Sequence, residues 1–151
     1  MPSQPKPLLR ILFLAANPSS TDRIYLDQEA REIHRAIAAS PHGDRITIDP
    51  YWAATIEDLQ RALLERAPQV LHISAHGNPE SIILAGAWGG HSFAALGGLA
   101  SLLGLVNREI PRVRVVVLNS CHSAAQLDLL CAHVDCAVGM AAQIDDNAAI
   151  A

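Results

Sequence analysis

The chain has 151 residues, half of them hydrophobic and 17% charged, with a formal net charge of −4. That is enough apolar material for one domain with a real core, and it excludes a largely disordered chain. Lysine occurs once, at Lys6, and no Lys/Arg stripe stands out, so nothing electrostatic calls for a nucleic-acid partner.

Aromatic residues are scarce at 4%, so the core is expected from Leu, Ile, Val and Ala. Three cysteines make an odd count without the density of a secreted scaffold, which fits free thiols in a reducing cytoplasm. Leu8 to Ala16 is interrupted by Arg10 and lacks a cleavage site, so no signal peptide is expected. Gly86 to Val106 carries no Asp, Glu, Lys or Arg over 21 residues, but it holds six glycines, and its helical part, Phe93 to Val106, has only 14 residues. A span needs about 20. A buried or partner-facing helix is expected there, and no membrane partner.

In chain order, Met1 to Pro7 reads as a flexible arm with three prolines, ahead of a domain covering 8–151. Leu8 to Ala15 reads as a strand closed by the turn cluster Asn17-Pro-Ser-Ser20. Thr21 can cap a helix to about Ala39, with the apolar stripe Leu26, Ala30, Ile33 and Ile37. Arg45 to Tyr51 suits a strand near a sheet edge. Thr55 opens a second helix, with Asp58 at the capping-box position and Ile56, Leu59 and Leu63 facing inward. Pro68 stops it, and a strand running to His76 follows. Ser81 to Ala85 reads as part of a small hairpin outside the main sheet. Asp135 to Met140 is a further short strand, and a last helix begins near Asp145. Strands alternating with helices predict a doubly wound α/β domain with a mostly parallel sheet.

Two strand ends carry chemistry. Val113 to Leu118 is a β-branched run, apolar enough for burial on both faces, that stops at Asn119-Ser-Cys121-His122-Ser123 before a helix over Ala124 to Ala132. Such a turn lies at the carboxyl edge of a parallel sheet, where open α/β sheets bind ligands. A cysteine just ahead of a helix start is favoured as thiolate. Gln69 to Ala75 is a second short strand ending in His76-Gly77. If the two strands are parallel neighbours, their ends lie about 5 Å apart, and His76 and Cys121 can meet as base and nucleophile. The N–H groups of Gly77 and Cys121 are then natural donors to an oxyanion. By spacing alone, a Cys and a His at strand ends are more often structural.

VLHISAHG followed by VVVLNSCHS resembles the His and Cys motifs of the clan CD cysteine peptidases, the caspase-like fold, and within it more closely resembles the bacterial CHAT branch, a caspase-like group related to separases. ILFLAANPSSTDRIYLDQEAREI, YWAATIEDLQRAL and AVGMAAQIDDNAAIA resemble the same branch, so the similarity runs from about Leu8 to Ala151. It implies a three-layer α/β sandwich whose C-terminal part is truncated at Ala151. It also implies a Cys121 nucleophile, a His76 base, an oxyanion-hole glycine at Gly77 and a recurring acidic position at Asp146, for which we expect a substrate-binding role. Ala75 stands where a glycine commonly precedes the histidine, and His122 where an aromatic often follows the cysteine.

Other candidates lead elsewhere. Cys121, Cys131, His133 and Cys136 contain no C-x-x-C pair, so no metal is expected, and Cys131 and Cys136 read as buried small hydrophobes. His72 reads as a satisfied core or interface histidine, and His122 as an exposed turn residue. Gly86, Gly89 and Gly90 match no phosphate loop, so no nucleotide or other cofactor is expected. The expected function is that of a cysteine endopeptidase acting on protein or peptide, an effector or self-processing module of a bacterial signalling or defence system. The alternative is an inactive interaction module that docks a partner or a second copy through the apolar helix 93–106.

Overall fold

A computed structural model describes residues 9–19, 21, 24–108 and 112–143. The first half of the chain forms β1 (Leu9–Ala15), α1 (Leu26–Ala39), β2 (Ile46–Trp52), α2 (Ile56–Arg66) and β3 (Val70–Ser74). Three short strands follow, β4 (His76–Gly77), β5 (Ser81–Ala85) and β6 (His91–Ala95), and then α3 (Leu96–Val106). The described chain ends with β7 (Val115–Asn119), α4 (Leu127–Cys131) and β8 (Cys136–Gly139).

Five strands form one parallel sheet in the order β2-β1-β3-β7-β8. The chain steps one way from β1 to β2 and the other way thereafter. Right-handed crossovers therefore put α1 on one face and α2, α3 and α4 on the other. Burial follows the strand period of two. In β1, Phe13 and Ala15 pack on Leu26 and Ala30 of α1. Leu12 and Leu14 join Leu71, Ile73, Val116 and Leu118 in the larger core under Leu59, Leu63, Leu99, Leu103 and Leu130. The result is the expected three-layer α/β arrangement. Asymmetry of the helix layers corrects one expectation: β7 is fully buried on one face only, because the apolar residues of α1 pack on β1 and β2 and leave Val115 and Val117 half-buried.

Local signals explain most element ends. Thr55 and Asp58 close a reciprocal capping box, each side chain accepting the other's backbone N–H at 3.1 Å. Thr21 does not cap α1: its hydroxyl donates to the Pro18 carbonyl at 2.8 Å, which closes the preceding turn, and the helix starts at Leu26. Asn107 ends α3 with all its hydrogen-bonding capacity in use. Its Nδ2 donates to the carbonyls of Val113 and His133 (2.8 and 2.9 Å), and its Oδ1 accepts from the N–H groups of Arg112 and Val113 (both 3.0 Å).

The apolar stretch 93–106 is not all helix. Phe93 to Ala95 pair with β5, in a second sheet of order β4-β5-β6, and α3 begins at Leu96. A run of Phe, Ala and Leu has no period that separates strand from helix; the reversal at 86–90 decides it. Leu96, Leu99, Ala100, Leu103 and Val106 all face the chain's own core, while Gly97, Gly98 and Ser101 face outward. Leu105, on the same helix, is 58% exposed. Cys131 and Cys136 are exposed rather than buried: one lies at the end of the short α4, the other on edge strand β8. The arm 1–7, the helix expected from Asp145, and Asp146 lie outside the described residues. Among the described residues no helix is long and apolar enough to cross a membrane.

Candidate functional site

β3 and β7 are parallel neighbours, paired from Val70↔Val115 to Ser74↔Asn119. The Ala75 N–H extends the ladder by donating to the Asn119 carbonyl at 3.3 Å. Two residues beyond Ser74 stands His76, and two beyond Asn119 stands Cys121, so both leave the same edge in step. The following residues touch. A Cβ on Gly77 would lie 3.0 Å from Ser120 Cβ and 3.2 Å from the Cys121 carbonyl oxygen. Gly77 is therefore laid against Ser120 and the backbone of Cys121, while His76 and Cys121 each follow the same edge of the sheet by two residues. His76 is no longer part of the main sheet; it pairs with Ile83 as strand β4.

The Cys121 turn is tight. His122 adopts φ 59°, ψ 12°, a left-handed conformation that costs a non-glycine residue about 1–2 kcal/mol. Ser123 supports it from below. Its buried hydroxyl donates to the Ser120 and Leu118 carbonyls (2.7 and 3.1 Å) and accepts the Met140 N–H (3.0 Å), which ties the turn to the end of β8. The helix expected over Ala124 to Ala132 is a 3₁₀ turn, Ser123–Gln126, followed by only five α-helical residues. Such a short element offers Cys121 little helix dipole.

Sequence reasoning missed a buried polar network on the α1 face. Glu29 is only 6% exposed. Its Oε1 accepts from His72 Nε2 (2.7 Å) and Asn119 Nδ2 (2.8 Å), and its Oε2 accepts from the Ser74 hydroxyl. Burial pushes the carboxyl up, but the hydrogen bond from His72, that from Ser74, the charge of His72 and the bond from Asn119 outweigh it and hold the group below its ordinary value. An ionised carboxylate accepts only, so His72 carries its proton on Nε2. His72 is the satisfied core histidine expected. The signal for Glu29 was in the sequence: it lies three residues after Leu26 and four before Ile33, a lone carboxylate on an apolar stripe.

Serine, carboxylate and histidine in that order make no nucleophilic triad. The carboxylate sits in the middle, Ser74 is 2% exposed, and the imidazole never reaches the hydroxyl. Beside the network a cavity of about 180 Å³ opens between Glu29, His72 and Asn119 on one side and Val138, Gly139 and Met140 on the other. It is smaller than pockets for drug-sized ligands, which start near about 300 Å³. Among the described residues, no three His, Cys, Asp or Glu side chains gather as a metal site. No family model matches this chain, and no curated protein matches it significantly.

Proposed function

We propose that this chain is a caspase-like cysteine endopeptidase domain of the CHAT type, an effector or self-processing module of a bacterial signalling or defence system. The observation that supports the proposal is the close approach of Gly77 to Ser120 and the Cys121 carbonyl, just past the carboxyl ends of two in-register parallel strands. His76 takes the thiol proton as the Cys121 sulfur attacks the scissile carbonyl. The oxyanion that forms is met by the N–H groups of Gly77 and Cys121. His76 then returns its proton to the leaving amine, and water hydrolyses the thioester to free acid and regenerated thiol.

An electrophilic probe for activated thiols tests this in the full chain. Labelling is expected at Cys121, lost in Cys121→Ala and strongly reduced in His76→Ala. The exposed Cys131 and Cys136 serve as internal references for unactivated thiols. Labelling of Cys121 no faster than of those two, at neutral pH, would overturn the peptidase assignment.

A further inference from the structure

We propose that Glu29, on α1, is the positioning residue of the Cys121/His76 pair. What is positioned rests on the peptidase assignment; that the strand ends are held by this carboxylate does not. Among the described residues the Glu29 side chain bonds to His72 in the middle of β3, to Ser74 at its end, and to Asn119 at the end of β7. Ser74 and Asn119 are the final residues of their strands and each stands two before a member of the pair. Asn119 acts twice, with its side chain on Glu29 and its carbonyl on the Ala75 N–H, next to His76. One carboxylate thus fixes where both strands end relative to each other.

Stability alone does not explain it. A carboxylate on an apolar helix stripe bears a large desolvation cost, and an apolar residue of similar size commonly does as well or better there. The bonds supply register and direction. Loosening the ends of β3 and β7 lets His76 and Cys121 drift, and drift on the order of an ångström is enough to cost catalysis.

Glu29→Gln tests this in the full chain by two measurements. The first is the pH profile of iodoacetamide alkylation at Cys121, resolved by mass spectrometry with Cys131 and Cys136 as references. At pH 7 the variant is expected to alkylate Cys121 slower by at least about tenfold, while the reference thiols keep their wild-type profiles. The second is amide exchange at Ala75, expected to rise by at least about tenfold while core amides of β1 stay protected. His72→Gln, which keeps a neutral donor to the carboxylate, is expected to retain both wild-type behaviours. A folded Glu29→Gln with wild-type alkylation and wild-type Ala75 exchange overturns the proposal. Should Glu29→Gln fail to fold, Ser74→Ala replaces it, and an unchanged Ala75 amide in that variant is equally fatal. The two assignments fail separately: a sluggish Cys121 in the wild type sinks the peptidase, while Ala75 exchange still decides the role of Glu29.

Discussion

A side-chain carbon on Gly77 would lie 3.0 Å from the Oγ of Ser120. Optimal carbon contacts are about 3.5–4.0 Å, so one of the two motifs must give way to Gly77→Ala. Overpacking of this kind costs about 1–3 kcal/mol. The larger effect is expected on geometry: Cys121 alkylation falls by about ten- to a hundredfold. Urea denaturation and alkylation on the same sample separate the two. An undisturbed alkylation rate would show that this close approach does not set the site.

Acid titration reads Glu29 directly. Its folded pKa is depressed, so its contribution to stability is present above the unfolded value of about 4.3 and is lost as pH falls through the folded value. The stability gap between wild type and Glu29→Gln is therefore widest near neutrality and narrows below about pH 4. Denaturant unfolding at a series of pH values measures it. A gap that stays constant down to strong acid contradicts the depressed carboxyl.

Ser120 and Ser123 are both buried and are expected to behave in opposite ways. The Ser120 hydroxyl has no hydrogen-bond partner among the described residues, whereas that of Ser123 joins three backbone groups. Ser120→Ala should be neutral or stabilising by up to about 1 kcal/mol, and Ser123→Ala should cost about 2–3 kcal/mol by orphaning buried groups. Thermal unfolding of the two variants in parallel tests the contrast.

Phe93 stands in register with Ile83, and Ile83 with His76, so the three side chains share one face of the small sheet. Phe93 is 57% exposed and meets His91 edge-on at 5.2 Å. Phe93→Ala is expected to leave stability within about 0.5 kcal/mol. In a peptidase assay it should raise KM for peptides with apolar residues beside the cleaved bond, with kcat little changed. Equal effects on apolar and charged peptides would remove Phe93 from substrate recognition.

The strand ends were legible because Val113 to Leu118 and Gln69 to Ala75 are short apolar runs closed by polar turns, and a parallel sheet sends such turns to one edge. Thr55 and Asp58 were legible for the same local reason. The start of α3 was not, because Phe93, Ala94 and Ala95 suit either period and only pairing with β5 chooses. The exposure of Cys131 and Cys136 depends on which helices cover which half of the sheet, a tertiary fact. Glu29 was readable in principle as a charge out of place on its stripe, but its partners lie 43 to 90 residues away.

His76 belongs to the small sheet and Cys121 follows a strand of the main one, with Ala75 as the single residue between β3 and β4. The small sheet is seated by Ile82 and Leu84, both fully buried in the main core, and by the Ala85 N–H on the Ala54 carbonyl at 2.9 Å. The imidazole therefore has the tolerance of a packed joint rather than that of a continuous ladder. Protein interiors are dense enough to transmit a displaced methyl group. Ile82 and Leu84 act as set screws: trimming either one shifts the aim of His76 while Cys121 stays where its own strand puts it.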